Sequence, residues 1–448
     1  MSNAKSPRGL VIAAPSSGAG KTTATLGLLA AFKARGVTVQ PFKTGPDYLD
    51  TGHHARAAGR PSYNLDVWAM SRPLLEHIVA RAGQEADLCI VEGVMGLFDG
   101  GPDRGLSGRG ASADIAALLG WPVILVLDVS AQTETAAALA LGCARYRDDI
   151  NIAGVILNQI ASDHHLDLIR PGFERVGIPI LGALRRDQEV KLPERHLGLV
   201  QAGESANESD RLDRLAGLME RFVDLDAVQR AATEATIGTK SVDARRRALR
   251  PPGQRIALAS DGAFSFTYAH VLADWREAGA EIMPFSPLAD EAPCQRADAV
   301  WLPGGYPELH AGRIAAASRF QAGVRTLAAN SVPIHGECGG YMVLGQGLED
   351  ADGTRHAMLG LLPAETSFRM RKMHLGYRRA TLKATCALGR EGAQLFGHEF
   401  HFATLLKDDG EPLLDCTDGA GGTFTAGSRL GRVTGSFFHV ISSVDAVD

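Results

Sequence analysis

The chain has 448 residues, 45% of them hydrophobic and 22% charged, with a formal net charge of −5. That balance fits a folded chain of two domains and excludes a disordered one. The charge speaks against a nucleic-acid-binding surface, and no apolar run is long enough to span a bilayer.

In chain order, the opening MSNAKSPRG is polar and has no apolar signal region. GLVIAAP (9–15) is an apolar run of strand length that ends in a Gly/Ser-rich turn, and TTATLGLLAAFKARG reads as a helix closed by Gly36. VTVQPFK, DLCIVEG (87–93), PVILVLDV (122–129) and IAGVILNQ (152–159) are further strands, separated by helical stretches such as SADIAALLG and TAAALALGCARY. Continuous apolar strands alternating with helices predict a parallel sheet covered on both faces. A polar, basic stretch ending in Pro-Pro-Gly follows, and residues 236–253 read as an interdomain linker. A second α/β block starts at RIALAS (255–260); a helix is expected over 312–330, VPIHGECGG is a strand entering a sharp turn, and the last hundred or so residues are strand-rich. The expected domains are therefore 8–235 and 254–448. The six cysteines are scattered and form no C-x-x-C pair, which suggests neither a zinc site nor a disulfide framework and makes the cytoplasm the expected compartment.

PSSGAGKTT (15–23) lies between the first strand and the first helix. It matches the phosphate-loop pattern at Gly20, Lys21 and Thr22, with Pro15 in place of the first glycine. Gly18 and Gly20 let backbone amides approach phosphate oxygens, Lys21 reaches the β- and γ-phosphates, Thr22 ligates Mg²⁺, and Thr23 completes the loop. KTGPDYLD (43–50) and VEGVMGLFDG (91–100) lie at the ends of the next strands, the edge where ligands gather in open α/β sheets. Asp47 and Glu92 are candidates to share the Mg²⁺, and Lys43 to neutralise transferring phosphate charge. Each alone is more often a solvated loop charge or a cap; together, on consecutive strand ends beside a phosphate loop, they favour the functional reading.

HGECGGYMVLG (335–345) places Cys338 at a glycine-flanked strand-to-helix turn, the geometry of a nucleophile elbow. The cysteine is expected to be exposed at the helix N-terminus, with its thiolate stabilised there. Gly339, with Gly304 or Gly305 of PGGYPE (303–308), is a candidate oxyanion hole. The expected base is His439 in GSFFHV, with His398 and His401 of GHEFHF as competitors.

PGGYPE, GECGGYM and GSFFH closely resemble class I glutamine amidotransferase domains. PSSGAGKTT, KTGPDYLD and EGVMGLFDG resemble the dethiobiotin-synthetase-like domain of the cobyrinic or hydrogenobyrinic acid a,c-diamide synthases of cobalamin biosynthesis. The resemblance covers nearly the whole chain apart from the linker. It implies a ligase with two α/β domains, a P-loop parallel-sheet synthetase and an amidotransferase. ATP phosphorylates a corrinoid carboxylate, and ammonia from L-glutamine displaces the phosphate, at the c and a acetates in turn, with ammonia passing along a sheltered path. It also implies that Asp47, Tyr48, Leu49, Glu92 and Asp99 line the metal and corrinoid site, that Asp50 assists, and that Asn158 reads the adenine ring. Mg²⁺ is the implied cofactor; no nucleic-acid or membrane partner is implied, and a homodimer is one option for assembly.

The sequence departs from the family patterns at two positions. Ser16 stands where partitioning-type ATPases of the superfamily place an extra lysine, which argues against that group. Class I enzymes usually carry a glutamate two residues after the histidine; here it is Ile441, and cobalamin-pathway amidotransferases commonly lack it too. Either another group orients His439, or the glutaminase is slow until the synthetase site is loaded; the second is the expectation. Cobyrinic and hydrogenobyrinic acid stay open as substrates. So do the related cobyric acid and nickel-sirohydrochlorin amidations and, in a different class, a nucleotide-gated binding protein with an inactive amidotransferase half.

Overall fold

The computed structural model describes residues 6–187, 194–195, 198–199, 201–202, 204, 207–237 and 248–444. The chain divides into two compact units, Met1–Asp243 and Ala244–Asp448. Of the stretch read as a linker, residues 238–247 lie outside the described ones. Its tail packs into the second unit: Ala248 and Leu249 are buried, and the Ala248 amide donates to Asp274 Oδ2 at 2.7 Å.

The first unit is built on a parallel sheet in the order β3-β2-β4-β1-β5-β6-β7. Its strands are β1 (Arg8–Ala13), β2 (Val39–Thr44), β3 (Tyr63–Leu65), β4 (Leu88–Glu92), β5 (Val123–Asp128), β6 (Ile152–Ile160) and β7 (Ile180–Arg185). Thr233–Glu234 pairs antiparallel with β1. The central strands are apolar on both faces because helices cover both; Leu10, Val11, Ile12, Ile90, Val91, Ile124 and Val126 have no exposed surface. Helix α1 (Lys21–Ala34) runs straight from the phosphate loop and buries Leu26, Leu28, Leu29 and Phe32. Helix α2 (Leu49–Ala58) follows β2. Register sets the site: Ile12 pairs with Glu92 across β1 and β4, and Lys43 pairs with Glu92 across β2 and β4. The ends of three strands therefore meet at one edge, beside the phosphate loop.

The second unit contains a ten-stranded sheet. Its parallel part runs Glu281–Phe285, Arg255–Ala259, Ala299–Leu302, Ile334–Glu337, Val433–Ser436. It continues antiparallel through Thr423–Leu430, Glu411–Asp418, His374–Leu382, Gln394–His401 and Phe438–Ser443. The helix expected over 312–330 is two, Ala311–Ala316 and Ser318–Ala329. The break at Ala317 lets both Ile314 and Phe320 reach the core; six residues apart on one straight helix they would face different ways. Among the described residues, no helix is long and apolar enough to cross a membrane.

Candidate functional site

In the first unit, Gly20 caps α1 with φ 96°, a left-handed conformation that suits glycine. A side chain there would also strike Asn158, whose Nδ2 lies 2.3 Å from where a Cβ would stand. Asn158, at the end of β6, donates from Nδ2 to the Ala19 carbonyl at 3.0 Å and accepts the Gln159 amide on Oδ1 at 3.0 Å. Its carboxamide therefore braces the loop. Lys21 Nζ donates to the carbonyls of Ser16 at 3.1 Å and Met95 at 2.6 Å, which ties the phosphate loop to the segment after β4. Burial and the neighbouring Lys43 charge lower its pKa. Thr23, half-buried, follows Thr22 on the first turn of α1.

Glu92 is the hub of this edge and has no exposed surface. Its Oε1 accepts Thr22 Oγ1 at 2.6 Å and Lys43 Nζ at 2.9 Å, and its Oε2 lies 2.6 Å from His54 Nε2. Lys43 also contacts Asp50 Oδ2 at 2.6 Å and the Gly93 carbonyl at 3.3 Å. Burial works against the Glu92 carboxylate, but Lys43, His54 and Thr22 outweigh it and hold its pKa below the ordinary range. Burial likewise opposes the Lys43 charge, and Asp50 and Glu92 outweigh it. Burial and the nearby Asp47 raise the Asp50 carboxyl. Asp47 sits at the start of α2, where its Oδ1 accepts the amides of Leu49 at 2.8 Å and Asp50 at 3.0 Å, a capping pattern that fixes the loop. Tyr48 and Leu49 are buried beside it. Asp99 Oδ2 accepts the Gly96 amide at 2.8 Å and closes the turn after β4. The sequence reading missed His54 and Asn64. His54 lies on α2 and completes the shell of Glu92, while Asn64 on β3 donates to the carbonyls of Gly45 at 2.9 Å and Asp47 at 2.7 Å. Neither belongs to a motif; a signal existed only in the HH pair of DTGHHARAA, one helical turn beyond Asp50.

In the second unit, Cys338 follows the strand Ile334–Glu337 and opens the helix Gly339–Leu344, with φ 47° and ψ −103°. This is the strained turn of a nucleophile elbow. The expectation of an exposed thiolate is not met: Cys338 is 2% exposed, and burial, with the Glu308 charge, pushes its pKa up. The helix has only six residues, and desolvation outweighs its pull. The glycines of 303–308 are forced by close approach. A Cβ on Gly304 would stand 2.6 Å from His439 Cε1 and 3.4 Å from Cys338 Cβ, so the thiol and the imidazole flank one glycine. A Cβ on Gly339 would stand 3.1 Å from the Gly305 amide nitrogen, so those two turns are also in contact.

Of the three candidate histidines, His439 is the one brought to Cys338. His398 pairs with it across the strands, ring against ring at 5.3 Å. His401 is turned into a stack, 3.8 Å from Phe437 and 4.7 Å from His374, with its Nδ1 3.0 Å from the Ala403 carbonyl. Burial and the nearby His398 and His401 lower the His439 pKa well below its ordinary value. Both shifts favour the uncharged forms, a thiol and a neutral imidazole. Glu337, which the sequence reading passed over, is 4% exposed; its Oε1 accepts the Val440 amide at 3.0 Å and its Oε2 lies 4.0 Å from His439 Nδ1.

Two family models match, in the same order as the two units. Residues 10–200 match a CobQ/CobB/MinD/ParA nucleotide binding domain, and residues 255–447 match a CobB/CobQ-like glutamine amidotransferase domain. The hydrogenobyrinate a,c-diamide synthase of Rhodobacter capsulatus is 55% identical over 437 residues, 97% of this chain and 99% of that protein. Its namesake from Mesorhizobium japonicum is 53% identical, covering 98% of this chain and 99% of that one. The Agrobacterium fabrum protein of the same name is 51% identical, covering 97% and 99%. At this identity over nearly its whole length, the chain belongs to the hydrogenobyrinate a,c-diamide synthase family, a family of glutamine-dependent amide-forming ligases.

Proposed function

We propose that the chain uses ATP and glutamine to convert the a and c acetate carboxylates of hydrogenobyrinic acid to amides through acyl phosphates, in the cytoplasm. The macrocycle and the two positions come from the names of the relatives, which favour hydrogenobyrinic over cobyrinic acid. The observation that carries the mechanism is the pairing, in one chain, of a phosphate loop wired to a buried carboxylate with a glycine-lined cysteine and histidine.

In the synthetase half, Gly18, Gly20, Lys21, Thr22 and Thr23 hold the ATP phosphates, and Asn158, at the loop's edge, is the candidate contact for the base. A carboxylate is a poor acyl donor until one oxygen becomes a good leaving group, so transfer of the γ-phosphoryl group onto it is the chemical need. Lys21 and Lys43 offset the negative charge that gathers as the corrinoid carboxylate meets that group. Thr22 Oγ1 and Glu92, 2.6 Å apart, are hard oxygen donors. With Asp47, whose charge reaches Lys43, they suit Mg²⁺. Bound there, the ion supplies charge neutralisation on the phosphates. Tyr48, Leu49, Asp50 and Asp99 complete the acceptor side. In the glutaminase half, Cys338 attacks the side-chain amide of glutamine, His439 takes the thiol proton and passes it to the departing ammonia, and the amides of Gly339 and Gly304 or Gly305 receive the oxyanion.

The test is product analysis by mass spectrometry with hydrogenobyrinic acid, ATP and glutamine, which should reveal two successive exchanges of OH for NH₂. Cys338→Ala should abolish the reaction with glutamine and retain it with ammonium. Loss with both nitrogen sources would overturn the division of labour, and absence of amidation by the intact enzyme would overturn the function.

A further inference from the structure

We infer that Glu337, the residue immediately before the nucleophile, is the positioning residue for His439: its carboxylate takes the ring's Nδ1–H and leaves Nε2 to accept the Cys338 proton. This rests on the glutaminase reading above and supplies the third member that Ile441 cannot.

His439 lies on the strand Phe438–Ser443. Residues two apart on a strand face the same way, so a glutamate at 441 could reach the ring from its own strand. Ile441 is apolar and has no exposed surface, so it offers nothing to a ring nitrogen. Glu337, at the end of the strand Ile334–Glu337, offers a carboxylate instead. The Val440 amide, next along the chain from His439, donates to Glu337 Oε1 at 3.0 Å, which fixes the carboxyl against the backbone beside the imidazole. The other oxygen lies 4.0 Å from His439 Nδ1. Closing that gap to a hydrogen bond takes a shift of about 1 Å, and such contacts are commonly long before substrate binds. The elbow explains how adjacent residues flank one ring. Neighbours on a strand point to opposite faces, but the positive φ of Cys338 turns the chain sharply after Glu337.

Burial supplies the second line. Among the described residues, the polar partners of Glu337 are the Val440 amide and His439. A 4% exposed carboxyl is costly to ionise without a cation, and burial pushes its pKa up to about 8. Its ion is stabilised when positive charge appears next to it. That charge appears on His439 when the Cys338 S–H proton moves to Nε2. The sulfur pair then bonds to the amide carbon of glutamine, the C–N bond breaks, and ammonia leaves with the Nε2 proton. Water next attacks the thioester, giving a proton through His439 back to sulfur and releasing glutamate. Glu337 enters this cycle already ionised and exchanges no atom in it; it fixes the tautomer and stabilises the imidazolium.

The test compares Glu337→Gln and Glu337→Asp in the full chain, with ATP and corrinoid acid present, by glutaminase kcat and by KM for glutamine. The Gln variant keeps the Val440 contact but loses the anion; its kcat should fall about 10²-fold while KM moves by less than about twofold. The Asp variant should regain about tenfold of that loss. A kcat for Glu337→Gln within about threefold of wild type overturns the inference. So does a loss matched by a rise in KM with Asp no better than Gln, since that pattern marks a structural role. If Glu337→Gln does not fold, ¹⁵N NMR of the wild-type histidines decides: His439 must carry its proton on Nδ1, and the Nε2–H tautomer refutes the role. Failure of the underlying reading looks different: the wild type itself would not hydrolyse glutamine, and this inference falls with it.

Discussion

Glu92→Gln tests the wiring of the synthetase edge. Glu92 is fully buried and holds three groups, Thr22 at 2.6 Å, Lys43 at 2.9 Å and His54 at 2.6 Å. The substitution conserves shape and keeps one acceptor oxygen but removes the charge and puts an NH₂ against Lys43 or His54. Breaking a buried ion pair costs about 3–5 kcal/mol; because Lys43 keeps Asp50 at 2.6 Å, the lower end applies, about 3 kcal/mol. For a unit of this size that is a fall of about 6–12 °C in Tm. Calorimetry of the full chain at neutral pH reads it, the transition of the second unit serving as internal reference. The sign in acid follows from the depressed pKa. A carboxylate held below its ordinary 4.5 contributes stability that is fully present above that value and is lost as pH falls through the folded one. The gap between wild type and variant should therefore be constant through neutral and mildly acidic pH and shrink only below about 4.5. A Tm fall under about 2 °C at neutral pH would refute the reasoning, since the hub would then carry no net stabilisation.

Gly304→Ala drives a methyl to 2.6 Å from His439 Cε1, so the ring must move; at about 1–3 kcal/mol, glutaminase should fall about 10–100-fold while ATP binding by the first unit is unchanged, as paired activity and nucleotide titrations would reveal. Asn158→Ala removes the brace on the Ala19 carbonyl and should weaken nucleotide binding about fivefold, or about 1 kcal/mol, by calorimetric titration; unchanged affinity would remove Asn158 from the site. Because burial raises the Cys338 thiol pKa, alkylation of the substrate-free enzyme by iodoacetamide should be slow at neutral pH and rise steeply with alkalinity, followed by mass spectrometry of the Cys338 peptide. Equal rates in mildly acidic and alkaline buffer would mean that the thiolate already exists in the free enzyme.

The sequence by itself determined the α/β class of both halves, the phosphate loop and the elbow. These are local devices: Gly20 must take a positive φ, Lys21 follows it at the helix start, and the glycines around Cys338 admit a tight turn, so their chemistry is written in consecutive residues. The tertiary structure decided everything set by strand register or burial. Lys43 and Glu92 are 49 residues apart and meet because β2 and β4 align them. His54 joins them from a helix face with no motif. Burial reversed the expectation of a ready thiolate, because desolvation is a property of the packed core and is invisible in GECGG. Ile441 made Cys338 and His439 look like an isolated pair. The fold holds the Glu337 carboxyl on the Val440 amide, a contact that spans 103 residues, and so sets it beside the His439 imidazole.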